Sequence, residues 1–181
     1  MELLDTIKYF AKFPLLSAVL SNFDGNDVPG YAQLKAYIQN MNPNSLIPDI
    51  ESFIVGNDES AIASKIKDSI QGYFMYLEIP NISSSQMDQF RNRETQTLIA
   101  VIIAHPVDAR SMDTMAQSII SDKCLQLTKQ MIDIMKSDDV KQCGNKRLID
   151  NAISINVVPP WLLYGCLGWE LSIHKRNNLL I

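Results

Sequence analysis

The sequence lacks the residue groupings that mark most chemical sites. Its 181 residues include three cysteines, Cys124, Cys143 and Cys166, an odd number at wide spacing. That spacing indicates neither a disulfide framework nor a CxxC metal site, and it favours a reducing cytoplasm. Asp108 follows His105 by three residues and Glu170 precedes His174 by four, but both histidines fall in or at the end of a predicted strand, where residues at this spacing do not meet as they do on the helix of a metal site. We therefore predict no catalytic residue, no metal and no cofactor, and we favour a protein that is not an enzyme.

Basic clusters and long apolar runs are also absent. The net charge is −4 and acidic and basic residues are mixed along the chain, which argues against specific binding to nucleic acid. No run reaches the roughly 18 apolar residues that a membrane span requires. The apolar N-terminal stretch, MELLDTIKYFAKFPLLSAVLSNF, is interrupted by Glu2, Asp5, Lys8 and Lys12. It predicts an amphipathic helix better than a signal peptide.

The composition suits one substantial core, with 46% hydrophobic and 20% charged residues. In the first 50 residues apolar positions recur at helical spacing, first around Leu3 to Val19 and then from Tyr31 to Met41. The proline- and asparagine-rich stretch NMNPNSLIP follows and is the best candidate boundary. We predict an N-terminal helical segment, residues 1–52, and an α+β domain, residues 53–181.

The second part of the chain alternates between two hydrophobic periods. Isoleucines at steps of four, Ile62, Ile66 and Ile70, predict a helix, whereas YFMYLEI alternates every second residue and predicts a strand. The predicted elements are a helix at 58–71, strands at 73–79 and 95–104, a long helix at 112–136, and strands at 152–158 and 164–174. This order, α-β-β-α-β-β, predicts an α+β fold with a mainly antiparallel sheet of about four strands. The long helix packs on that sheet, and the N-terminal helical segment precedes it.

The final strand carries the most distinctive residues, within LLYGCLGWELSIHK. Its alternation places Trp169 on the apolar face, where we expect it to anchor the strand to the long helix, and Glu170 on the polar face. Cys166 and His174 are eight residues apart, about 26 Å on a straight strand, so they cannot act as a catalytic pair. The glycines at 165 and 168 predict a bulge or a close approach of two backbones.

The segment between the first two predicted strands is PNISSSQMDQFRNRE, residues 80–94. It is too long and too polar for a tight turn, so we predict an exposed flap. We also expect exposed strand edges at 73–79 or 164–174 that pair between subunits. Six residues are the candidates for contact with another subunit or partner: Gln86, Phe90, Arg91, Arg93, Trp169 and Glu170.

From about residue 53 onward, the order and length of these elements resemble the tail-terminator and tail-completion (neck) proteins of tailed bacteriophages. The resemblance rests on DESAIASKIKDSIQ, YFMYLEI, TQTLIAVIIA, the helix at 112–136 and GCLGWELSI. It implies a homo-oligomeric ring, commonly a hexamer, that caps the tail tube and joins it to the head. It also implies other tail or neck proteins as partners and a place in the virion after assembly in the bacterial host cytoplasm. The N-terminal helices would then be an extra arm that packs against a neighbouring ring.

Two other interpretations stay open. The chain is also compatible with a small-molecule-binding or enzymatic α+β domain, in which residues 80–94 form a lid. That interpretation predicts a pocket lined by Tyr73, Tyr76, His105 and Trp169. The third interpretation is an accessory subunit of some other cellular complex.

Overall fold

A six-stranded sheet lies at the centre of the protein in a computed structural model. The structure describes residues 3–23, 25, 28–41, 45–57, 59–79, 81–86, 93–108, 112–141, 153–159, 163 and 165–179. The helices are α1 (Leu3–Phe10), α2 (Leu16–Leu20), α3 (Tyr31–Met41), α4 (Glu59–Ser69) and α5 (Thr114–Lys141). The strands are β1 (Ser52–Gly56), β2 (Phe74–Glu78), β3 (Asn81–Gln86), β4 (Arg93–Pro106), β5 (Ile153–Val158) and β6 (Cys166–Leu179).

The predicted α+β class is confirmed, and each predicted helix and strand has a counterpart near its expected position. The sheet order is β1-β2-β4-β6-β5, and β3 also pairs with β4. All pairings are antiparallel except that of β1 with β2, which are parallel neighbours connected by α4. A helical crossover between parallel neighbours is the usual connection, because strands of the same direction cannot be joined by a tight turn.

Two strands were not predicted, so the described sheet has six strands where the sequence predicted about four. β1 lies beside the predicted boundary, and β3 lies inside the predicted flap. β3 continues β2 along the same side of β4, with the pairing register shifted by one residue. Three residues separate Leu77 from Asn81, whereas two separate their partners Val101 and Leu98. One extra residue on one strand is the signature of a β-bulge.

One face of the sheet, the α5 face, is covered by α5 and by the N-terminal helices. Phe10 and Phe13 are fully buried in the same apolar cluster as Leu77, Leu127 and Leu171. The N-terminal helices therefore cover the subunit's own sheet, and their packing against a neighbouring ring stays a prediction. The burial of Phe10 and Phe13 stabilises this face of the sheet by the hydrophobic effect.

The other face, the α4 face, has its own apolar cluster. The predicted steps of four are present, since Ile62 and Ile66 of α4 and Ile70 directly after it belong to one buried cluster with Phe74 and Ile102 of the sheet. The sheet is thus covered on both faces near its centre, which explains why β4 is apolar on both sides over 99–104.

The predicted exposed edges were wrong. β2 pairs with β1 on one side and β4 on the other, and β6 pairs with β4 and β5. The alternation that made these segments recognisable shows only which face of a strand is buried, and it does not distinguish an inner strand from an edge strand. Within the described chain, open edges lie on β3, on β5 and at the end of β6, residues 174–179.

Candidate functional site

The predicted contact residues fall into two groups that the structure does not bring together. Gln86 and Arg93 form the last described pair of the β3–β4 hairpin, whereas Trp169 pairs with Ile103 in the middle of the sheet. Arg93 lies ten positions before Ile103 in β4, a distance of about 33 Å along an extended strand. Phe90 and Arg91 lie outside the described residues.

Trp169 lies on the α5 face and contacts the long helix, as predicted. Its indole Nε1–H donates to the backbone oxygen of Ser121 at 2.9 Å. The Cys124 thiol of the same helix donates to the oxygen of Leu167 at 3.6 Å, and Leu171 is buried in the α5-face core. Since Trp169 is only half-buried, it combines a structural contact with a surface that other molecules can reach.

Glu170 lies on the opposite face, beside a second carboxylate. It accepts a hydrogen bond from the Ser172 hydroxyl. Burial raises the pKa of Glu78, and the negative charge of Glu170 raises that pKa further. These two carboxylates make this part of the α4 face acidic.

The predicted aromatic pocket is divided between the two faces. Tyr73 packs edge-on against His105 with ring centroids 4.8 Å apart, on the α5 face with Trp169. Tyr76 lies in the α4-face core and its hydroxyl donates to the oxygen of Gly56 at 2.8 Å. The sheet itself therefore separates Tyr76 from the other three side chains.

A cavity of about 420 Å³ lies between the end of α4 and the segment that follows β4. Ile66 and Ile70 contribute apolar surface to it, and Lys67 and Asp108 contribute charge. Pro106 also lines the cavity, at the opposite end of β4 from Arg93, where the predicted lid joins the strand. At 3.3 Å per residue these ends are about 43 Å apart, so the described end of that lid is remote from the cavity.

Cys124 and Cys166 are buried thiols without nucleophilic character at neutral pH. Burial raises the pKa of each to about 12, because a thiolate loses its hydration in an apolar environment. Cys166 and His174 both belong to the continuous strand β6, and this extended chain keeps them about 26 Å apart as predicted. Among the described residues, no group of three or more His, Cys, Asp or Glu side chains is placed to hold a metal ion.

The most unusual surface is the outer side of β5, which we call the β5 edge. Within the described chain β5 pairs only with β6, so every second residue directs its backbone N–H and C=O outward. Ile155 and Val157 are 36% and 57% exposed, and the strand, ISINVV, has no charged residue. Natural edge strands usually carry charge, proline or a cover that prevents pairing with other chains.

The β1 side of the sheet is covered by contrast. The Asn22 side-chain amide donates to the oxygen of Phe53 at 2.9 Å, and Lys65 holds the same side chain through its Oδ1 at 2.8 Å. Asn22 lies two residues after the end of the short helix α2, which packs near β1. A side chain thus occupies an outward carbonyl of β1 that another strand would need.

The described helices include none with the length and apolar character needed to cross a membrane. Comparison with known proteins gives no relative: no family model, no curated protein and no solved structure matches this chain.

Proposed function

We propose that the protein is a structural subunit that assembles with copies of itself into a ring, in the tail or neck of a bacteriophage. The ring caps the tail tube and joins it to the head, in contact with other tail or neck proteins. It is assembled in the cytoplasm of the bacterial host and retained in the virion. The observation that carries the proposal is the uncharged β5 edge, which has no partner strand in the part of the chain that the structure describes.

An unpaired edge of this kind favours association because backbone groups supply the hydrogen bonds. Ile155 and Val157 add apolar area beside those groups, and each buried CH₂ contributes about 0.8 kcal/mol. Pairing with another strand satisfies the outward groups of β5 and removes both side chains from water. A subunit whose function is assembly has a physical reason to leave such an edge uncharged.

The charge of the chain supports a place around a DNA channel. A net charge of −4 with mixed signs gives little attraction for phosphates, because tight non-specific binding depends on clusters of Lys and Arg. Viral DNA has to slide through a tail or neck without being held there. The fold class and the order of elements that resemble tail-terminator proteins add to this support.

The mass of the purified protein in solution tests the proposal. Light scattering coupled to gel filtration should give a discrete multiple of the 20.4 kDa subunit, commonly six copies, and negative-stain electron microscopy should show closed rings. A strict monomer at every concentration, both by itself and with tail and neck proteins of the same phage, would contradict the proposal.

Two matched lysine variants test the observation itself. Val157→Lys places a charge beside the β5 edge and should dissociate the ring. Met115→Lys changes an apolar side chain that is 73% exposed on α5 and should leave the ring intact. Rings that survive Val157→Lys would show that β5 is not at the joint.

The cavity beside α4 favours a second candidate, the binding of a small molecule. Its volume of about 420 Å³ falls within the range of small-molecule sites. A ligand that binds only the folded protein raises its melting temperature by mass action. A thermal-shift screen of metabolites tests this candidate, and the absence of any stabilising compound would count against it.

A further inference from the structure

We infer that neighbouring copies are joined by antiparallel pairing of β5 of one copy with β3 of the next. The inference rests on the proposed ring, and it names the two surfaces that meet. Both are edges of the same sheet, on its opposite sides, so a single type of contact repeats from copy to copy.

β3 presents a gap in the sheet of the same length as β5. β1 covers the side of β2 only as far as the pair Gly56 and Glu78. Beyond it, Asn57 accepts a hydrogen bond from the Ile79 backbone N–H through Oδ1 at 2.9 Å. The next six residues, Asn81–Gln86, pair only with β4 within the described chain. β5 is also a six-residue strand, so it fits this gap without displacing β1.

The strand directions agree with such a joint. β3 and β6 are both antiparallel to β4, and β5 is antiparallel to β6. β3 and β5 therefore run in opposite directions, and a copy placed beside β5 in the same orientation continues the antiparallel pattern. Neither NISSSQ nor ISINVV contains a charged residue, so the pairing brings no like charges together.

A joint between two different edges is what a ring requires. Pairing of β5 with β5 of a second copy would bury the same surface on both subunits around a two-fold axis and stop at a dimer. Pairing of β5 with β1 is opposed by the Asn22 side chain, which occupies the oxygen of Phe53. Of the other described edges, residues 174–179 of β6 lie on the same side of the sheet as β5, whereas β3 lies on the opposite side. The contact of β5 with β3 therefore leaves one of each free on the outer copies until the ring closes.

The stagger between the two edges favours closure. β5 pairs with residues 168–173 of β6, whereas β3 lies level with residues 174–179. This displacement of six residues is about 20 Å along the strands. The sheet is four strands wide from β3 to β5, which is about 19 Å across the strands. Successive copies therefore step along the strand direction, and a closed ring requires strands inclined by about 45° to its axis. Closed sheets adopt tilts of about this size.

Pairs of proline variants separate assembly from folding. In an edge strand, successive backbone N–H groups point alternately toward the partner strand and away from it. The pairs are Ile155→Pro and Asn156→Pro in β5, and Ser84→Pro and Ser85→Pro in β3. One variant of each pair should lose a backbone hydrogen bond within the sheet and melt at a lower temperature. The other should keep every hydrogen bond within the sheet, melt at a higher temperature than the first, and yet be monomeric. We call these two folded monomers the β5 variant and the β3 variant.

Mixing the two variants gives the decisive result. The β5 variant retains an intact β3 and the β3 variant retains an intact β5, so an equal mixture should form a one-to-one heterodimer by native mass spectrometry. If the wild type forms rings but both proline variants in β3 also form rings, or if the mixture stays monomeric, the β5–β3 joint is overturned while the proposed ring stands. A monomeric wild type would instead contradict the proposed function.

Cross-linking gives a second measurement that does not depend on proline. In a Cys143→Ser background, Asn156→Cys combined with Ser83→Cys should yield a ladder of covalent multimers on oxidation. Efficient dimers of the Asn156→Cys variant without the second cysteine would show a two-fold β5 contact and overturn the inference. Wild-type rings in which the double variant yields no cross-linked species would also count against antiparallel pairing centred on these residues.

Discussion

Neighbouring residues of β6 have separate roles because successive side chains of a strand point to opposite faces. Trp169 contacts Ser121 of the long helix, whereas Glu170 lies beside Ser172 on the other face. Gly168 lies where two strands approach so closely that a larger residue would not fit. This confirms the prediction from the sequence of a close backbone approach.

Gly168→Ala should lower the free energy of unfolding by about 1–3 kcal/mol, the usual cost of overpacking. An added Cβ would lie 2.6 Å from the Ala104 Cβ and 2.7 Å from the Ile103 oxygen, and neither atom belongs to a flexible side chain. Gly56→Ala is the matched control, since a Cβ there meets nothing within 4 Å. Urea unfolding should separate the two variants, and equal stability would contradict the proposed crowding at Gly168.

Among the elements, the ends of α1 and α5 are linked by charge. Lys12 forms an ion pair with Asp138, and its Nζ lies 3.6 Å from the centre of the Tyr9 ring. The Tyr9 hydroxyl also donates to Asp138 at 3.1 Å. Asp138, near the end of α5, therefore holds the N-terminal helix α1 against α5. Sequence patterns do not indicate this role.

Asp138→Ala should cost about 1–2 kcal/mol, because it removes the partner of a charge whose side chain is only 16% exposed. Asp49→Ala removes the partner of Lys123 in a more exposed pair, with side chains 38% and 49% exposed. Exposed pairs contribute about 0–1 kcal/mol, so this control should lose less. Chemical denaturation in low salt measures both, and an equal loss would show that the burial of the Lys12 pair adds nothing.

For the whole molecule, the α5-face core joins the N-terminal helices to the sheet. Phe10, Phe13 and Ile38 belong to the same buried cluster as Met75 and Ile103. The prediction that residues 1–52 and 53–181 are separate parts of the chain concerns their cooperativity, which calorimetry measures directly.

We expect the monomeric form to unfold in one transition, with equal calorimetric and van't Hoff enthalpies. A chain truncated before residue 53 should aggregate, since it would expose the apolar surface that Phe10 and Phe13 cover. Two separate transitions, or a soluble and folded truncated chain, would show instead that the two parts are independent.

Local pattern predicted the elements that have a strong hydrophobic period. The isoleucine steps of α4 and the alternation of β2 and β6 were sufficient, because one side of each element must avoid water. β1 was missed because SFIVG is short and nearly all apolar, and β3 because NISSSQ is polar. Both are strands because β2 and β4 offer backbone partners, and that information lies in other parts of the chain.

The sequence by itself determined the fold class, the order of most elements and the burial of β4, since these follow from hydrophobic spacing along the chain. Only the tertiary structure decided which strands lie at the edges. β2 and residues 168–173 of β6 lie within the segments predicted as exposed edges, 73–79 and 164–174, and are paired on both sides, whereas β3 and β5 retain outward backbone groups. Strand pairing joins residues that are distant in the chain, so the free edges follow from the complete sheet.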